Sequence, residues 1–241
     1  MLGNIHVVLS HTSHPGNIGA AARAMKTMAL GKLTLVNPKY FPHADATARA
    51  SGADDILAGA RVCDDIDAAV ADCQLVLGAS ARTRSIPCPV IDPPACARLA
   101  VETGRSGKVA ILFGCEQSGQ SNAEIDRCHR LVQIPGKPDY RSLNLAAAVQ
   151  IICYEVYVAA LAGAGTAVAE AHTGVTAVEM ERFYRHLEQT LVELDFLDPA
   201  NPRQLMRRLR RLFSRAQPDE NEMNILRGML SAAQHAVKQQ S

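Results

Sequence analysis

A chain of 241 residues, 48% of them hydrophobic, is long enough to bury a sizeable core without disulfide or metal staples. Its 25 Lys and Arg against 24 Asp and Glu leave almost no net charge, which excludes a molecule-wide pull toward nucleic acid or membrane and makes any polyanion site a local patch. Seven scattered cysteines (63, 73, 88, 96, 115, 128, 153) with no Cys-x-x-Cys pair argue against a disulfide framework or a metal site and suit reduced thiols.

From the start of the chain, Met1 to His6 lacks a basic, then apolar, export signal. No unbroken apolar run is read as reaching bilayer-spanning length, so a cytoplasmic chain with no membrane partner is expected. Short β-branched runs at Ile5 to Leu9, Leu33 to Val36, Leu75 to Leu77, Val109 to Phe113 and Leu131 to Ile134 are expected strands. Ala20 to Met28, Asp67 to Ala71, Ala95 to Glu102 and Ala123 to Cys128 are expected helices. The alternation predicts an α/β domain with a mostly parallel sheet. Leu143 to Leu161 is apolar on nearly every face, which suits a helix buried in a core or an interface. The small-residue run Ala162-Gly-Ala-Gly-Thr-Ala breaks the pattern and sets a boundary: residues 1–161 as the first domain, 162–175 as a linker, 176–241 as a helical extension. In the extension, Thr176 and Glu179 form a capping box for a helix to Leu194, with further helices near Pro202 to Ser214 and Asp219 to Val237.

Three stretches have chemical potential. His14-Pro-Gly-Asn-Ile-Gly-Ala-Ala-Ala-Arg-Ala-Met-Lys places a turn before a helix whose first amides could meet a phosphate or carboxylate. A tightly packed helix with a surface Arg23 reads equally well. Phe113-Gly-Cys-Glu-Gln-Ser-Gly-Gln-Ser has Walker-like glycine spacing, but Gln120 stands where the phosphate-binding Lys belongs and Glu116 would oppose a triphosphate, so an NTPase is disfavoured. A loop after a strand's carboxyl end still suits some cofactor. Ile134 to Ala146 leads through Arg141, Ser142, Leu143 and Asn144 into the apolar helix, where Ser142 reads locally as a cap.

Two basic features bear on partners. Arg82 and Arg84 follow the strand end Ala79-Ser-Ala, and Arg203, Arg207, Arg208, Arg210, Arg211 and Arg215 crowd the tail without an intervening acid. Either group is a solvated face or a set of phosphate contacts.

Taken in order, Asn17-Ile-Gly-Ala-Ala-Ala-Arg23, Phe113-Gly-Cys-Glu116 and Ser142-Leu-Asn-Leu-Ala146 resemble the three motifs of SPOUT-class RNA 2′-O-methyltransferases. The resemblance implies an α/β fold with a C-terminal trefoil knot, although knots are otherwise rare. It implies S-adenosylmethionine as cofactor, a homodimer with both subunits building the active site, and tRNA as substrate, modified on the ribose of nucleotide 32, a cytidine or uridine of the anticodon loop. An rRNA or other tRNA target, or a non-catalytic RNA binder, are the alternatives. By the same resemblance Ala79, Ser80, Ala81, Gly114, Ile134, Arg141, Ser142 and Leu143 would hold the cofactor. Arg23, Ser142 and Asn144 would act at the reacting centre. Asn17, Lys26, Arg82, Arg84, Glu116, Arg207, Arg208 and Arg211 would meet RNA. Cys115 and Gln120 depart from the family pattern.

Overall fold

The computed structural model describes residues 1–80, 88–137, 139, 142–163 and 174–240, the side chains of 238–240 excepted. Ala81, Arg82, Arg84, Arg141 and most of the expected linker lie outside the described residues. Seven strands form one sheet: β1 (Ile5–Ser10), β2 (Lys32–Val36), β3 (Arg61–Cys63), β4 (Cys73–Ala79), β5 (Val90–Ile91), β6 (Lys108–Phe113) and β7 (Arg130–Val132). Their order is β3-β2-β1-β6-β4-β7-β5 and every pairing is parallel.

A parallel sheet has both faces covered, so its strands carry apolar residues on both sides. In β1, Ile5, Val7 and Leu9 enter one core cluster and Val8 the other; in β6, Val109, Ile111 and Phe113 face opposite to Ala110 and Leu112. The first cluster is closed by helices α1 (Pro15–Thr27), α2 (Ala44–Ala50), α3 (Asp54–Ala58), α5 (Pro93–Thr103) and α7 (Leu145–Gly163). The second lies under α4 (Ile66–Val70) and α6 (Asn122–Arg127).

The five expected strands are present, whereas β3, β5, α2 and α3 lacked a clear pattern because they are only two to seven residues long. Helix α1 starts five residues before the expected Ala20, because Pro15 occupies a first-turn position where its missing N–H costs nothing. That shift brings Asn17 into the helix. Further along α1, a Cβ on Gly19 would lie 1.9 Å from the Ala46 carbonyl oxygen, so glycine is what allows α1 and α2 to touch.

Helix α7 is long and apolar enough, by length and composition, to cross a membrane, which corrects the expectation that no such stretch exists. One face, including Val149, Ile152 and Val156, packs into the first core cluster. The other leaves Tyr154, Val158 and Leu161 exposed, so burial within this chain is one-sided. After Gly174 come α8 (Ala177–Glu193), α9 (Leu205–Ala216) and α10 (Glu220–Gln240), which pack around Phe183, Tyr184, Leu187 and Met223. Both halves of the Thr176–Glu179 capping box are formed.

Candidate active site

In parallel sheets, ligands bind beyond the carboxyl ends of the strands where the connections diverge. Here β1 has β2 on one side and β6 on the other, and the connections after β1, β6, β4 and β7 leave from the same edge. A cleft of about 800 Å³, its open mouth included, lies there. Six of the eight residues expected to hold a cofactor line it, namely Ala79, Ser80, Gly114, Ile134, Ser142 and Leu143, while Ala81 and Arg141 lie outside the described residues. Phe113, Val132, Leu145 and Ala148 add apolar wall that the motifs did not reveal. Glu116 is the one carboxylate among the described lining residues.

The loop after β6 is pinned from both ends. The Gly119 N–H donates to the Cys115 carbonyl at 2.8 Å, and a Cβ on Gly114 would meet Gly119 backbone at 2.4 Å, so only glycine permits this fold-back. Gln120 is buried and its Nε2 donates to the Leu112 carbonyl at 2.8 Å. The space it occupies is left open by Gly78, whose Cβ would lie 2.9 Å from the Gln120 amide. Gln120 thus braces the cleft floor. Ser121 then caps α6 in a capping box with Glu124.

The three motifs meet in one hydrogen-bonded chain. Glu116 Oε2 accepts from the Ser13 N–H and the Ser13 hydroxyl, each at 3.0 Å. Its Oε1 accepts from Asn17 Nδ2 at 2.9 Å and from the His14 N–H at 3.4 Å. Asn144 Nδ2 donates to Asn17 Oδ1 at 3.0 Å, and Asn144 Oδ1 accepts from the Ala146 N–H at 2.9 Å at the start of α7. Partial burial alone would raise the Glu116 carboxyl, but the donors from Asn17 and Ser13 outweigh it and hold the group below the usual glutamate value. A carboxylate offers about four acceptor directions. All four are filled here, so Glu116 has no vacant position for a substrate proton.

Asn144, rather than the expected Ser142, caps α7; Ser142 stays exposed at the cleft. Arg23 is exposed on α1, and among the described residues its guanidinium has no partner. It lies about 9 Å along the axis from Asn17 and roughly 120° around it, so this fold does not place it among the cleft-lining residues of its own chain. Lys26 is held by Asp55 Oδ1 at 2.8 Å and the Gly52 carbonyl at 2.9 Å.

The tail arginines divide. Arg207 makes a two-pronged pair with Asp126 at 2.7 and 3.1 Å, and Arg210 does the same with Glu181 at 2.6 and 2.8 Å. Arg211 is 7% exposed and donates to the Cys128 and Ile125 carbonyls, where the carboxyl end of α6 favours a cation. The expectation that Arg211 meets RNA is therefore corrected: its burial removes it from solvent. Arg203, Arg208 and Arg215 are exposed and, among the described residues, unpartnered. Sequence reasoning also missed Ser13, Asp126 and Glu181, whose partners lie 103, 81 and 29 residues away.

A wholly parallel α/β sheet, with a cleft built from three separated motifs at its carboxyl edge and a helical tail docked behind it, defines an α/β protein of the SPOUT class. The chain belongs to the SpoU family: the profile described as SpoU rRNA Methylase family matches residues 4–154, and that of the tRNA methyltransferase TrmJ C-terminal domain matches residues 178–241. It is 51% identical to the tRNA (cytidine/uridine/adenosine-2′-O-)-methyltransferase TrmJ of Pseudomonas aeruginosa, over 99% of this chain and 96% of that one. The crystal structure of TrmJ from Z. mobilis superimposes with a TM-score of 0.82 at 32% identity, covering 94% of this chain and 97% of that one. A probable methylase family protein from Haemophilus influenzae is 43% identical with a TM-score of 0.66, covering 100% of both chains.

Proposed function

We infer that this chain is an S-adenosylmethionine-dependent tRNA 2′-O-methyltransferase that modifies the ribose of nucleotide 32. The observation that supports it best is the Ser13–Glu116–Asn17–Asn144 chain beside a cleft lined by six of the cofactor residues that the motifs imply. The full-length likeness to tRNA 2′-O-methyltransferases favours tRNA over rRNA.

The cleft suits the donor. Phe113, Ile134, Leu143 and Leu145 offer an apolar surface for a flat base, and the Glu116 carboxylate favours a cation. The bound donor supplies an electrophilic methyl group on a positively charged sulfur. Transfer to a ribose hydroxyl is an in-line displacement, so the residues' work is alignment. Ser142, exposed at the cleft, can accept a hydrogen bond from that hydroxyl. The Arg23 guanidinium carries donors and no acceptor, so it orients the ribose or a neighbouring phosphate and stabilises developing negative charge. Asn17, Glu116 and Asn144, all engaged with one another, hold the loops rather than the substrate.

Because Arg23 stands outside its own chain's cleft, a homodimer in which each subunit offers Arg23 to its partner's cleft accounts for the site. The outward stripe Tyr154, Val158 and Leu161 on α7 supplies apolar surface for that contact, which favours a protein partner over lipid. The knot, the division into a catalytic domain 1–161, a linker 162–175 and an RNA-binding extension 176–241, and a cytoplasmic location belong to the same reading. The gap between the two matched profiles supports the division. Ala81, Arg82, Arg84 and Arg141 keep their proposed roles in donor and RNA binding on the motif resemblance alone. Phosphate contacts are assigned to Arg208, with Arg203 and Arg215 beside it on the exposed side of the tail.

Transfer of labelled methyl from S-adenosylmethionine to unmodified tRNA, followed by mapping of the ribose methylation, tests the proposal. Label at nucleotide 32 is expected. Label at another nucleotide corrects the target, and binding of donor and tRNA without label makes the chain a non-catalytic binder.

A further inference from the structure

Building on the methyltransferase reading, we propose that Ser13 is a positioning residue: its hydroxyl and backbone N–H orient the Glu116 carboxylate, which in turn sets the direction of the Asn17 and Asn144 side-chain amides and so fixes the cleft loops. The polarity of the chain supplies the argument. An ionised carboxylate can only accept, so the neighbour at Oε1 must present its NH₂ group, as Asn17 does at 2.9 Å. With its NH₂ turned to Glu116, Asn17 presents its oxygen to Asn144, whose NH₂ donates to it at 3.0 Å. Asn144 in turn presents its oxygen to the first amides of α7. Reversing Asn17 would set oxygen against the carboxylate and NH₂ against NH₂, and reversing Asn144 would set oxygen against oxygen and leave the start of α7 uncapped. The direction of the whole relay therefore starts at the carboxylate.

The carboxylate's own orientation is set at Oε2, where both donors come from one residue, Ser13, at 3.0 Å. The Cys115 thiol, a weak donor, lies 3.9 Å from the same oxygen. His14 reaches Oε1 through its backbone N–H at 3.4 Å. No ion pair holds Glu116 among the described residues, so these neutral donors keep it ionised. A hydroxyl on Ser13 thereby ties the β1–α1 connection to the loop after β6 and, through two asparagines, to the start of α7.

The test compares Ser13→Ala and Ser13→Thr. Ser13→Ala keeps the backbone donor and removes the hydroxyl; Ser13→Thr restores a hydroxyl. In the alanine variant the Glu116 carboxyl, followed by carbon NMR across a pH titration, is expected to titrate at higher pH than in the parent. The side-chain NH₂ resonances of Asn17 and Asn144 should move with it. With tRNA as acceptor, kcat should fall about tenfold, the effect of one charge-assisted hydrogen bond of about 1.4 kcal/mol, while KM for the donor stays within about twofold. Ser13→Thr should restore both the titration and kcat. An alanine variant whose Glu116 and asparagine resonances match the parent overturns the proposal, as does a threonine variant as impaired as alanine. If the parent protein transfers no methyl to tRNA, the functional reading fails separately, and the NMR titration still decides the role of Ser13.

Discussion

Asn17 and Asn144 stand 127 residues apart in the chain and 3.0 Å apart in space, joined by a hydrogen bond from the amide of Asn144 to the oxygen of Asn17. That bond ties the first turn of α1 to the start of α7 beside the cleft. Asn144 also caps α7, so Asn144→Ala removes two interactions at once. A lost cap costs about 1 kcal/mol, which for a chain of this size lowers Tm by roughly 2–4 °C. Calorimetry should show that loss, and donor affinity should fall as the cleft loosens; an unchanged Tm and affinity would contradict the assignment.

The Arg23 guanidinium has no partner among the described residues, so its replacement should leave the fold intact. Arg23→Ala is expected to lower kcat about a hundredfold or more, the scale of losing one group that stabilises transition-state charge, with donor affinity nearly unchanged. Arg23→Lys should recover little, because a point charge lacks the guanidinium fork. Mixing this variant with one disabled at Ser142 tests the shared site: partial recovery of activity in the mixture is expected only if each subunit completes its partner's cleft.

The tail carries two kinds of arginine, and salt distinguishes them. Replacing Arg203, Arg208 and Arg215 by Ala should weaken tRNA binding and reduce the slope of log affinity against log salt by up to about 0.9 per lost contact. Asp126→Asn should also weaken tRNA binding, although it removes a negative charge, because it breaks the Arg207 pair and leaves Arg211 without the nearby carboxylate at 3.7 Å. Amide exchange should then quicken in α9 while the sheet stays protected. Tighter tRNA binding by Asp126→Asn would show that bare electrostatics, and not docking, governs the tail.

His129 predicts a pH limb in stability. Burial pushes its ring down to about 4, while its Nδ1 accepts from the Val76 N–H at 3.0 Å. The unfolded chain binds a proton near 6.5, so the folded state is fully favoured above that pH. This contribution is lost as pH falls from about 6.5 to about 4 and changes no further below. The depressed carboxyls of Asp67, Glu116 and Glu181 add their own loss at still lower pH. Denaturant melts at a series of pH values should show the upper limb, and His129→Gln should flatten it.

The sequence alone makes the sheet legible, because both-face burial writes continuous apolar runs such as Leu75 to Leu77 and Val109 to Phe113 into the chain. It also determined the helical tail, whose Thr176–Glu179 cap acts over three residues, and the identity of the cleft, because three short motifs survive as readable strings. Elements of two to seven residues such as β5 and α2 left too little periodicity to read. What each charge and amide is for depends on contacts made across the fold. Arg207, Arg208 and Arg211 look alike in the chain, yet one is paired, one exposed and one buried, since the partners of Arg207 and Arg211 come from α6 and its carboxyl end. Ser13 belongs to no motif read from the chain, and its partner is 103 positions away. Apolar periodicity is a local property of the backbone, whereas hydrogen-bond and ion-pair partners are chosen by the fold that brings distant segments within 3 Å.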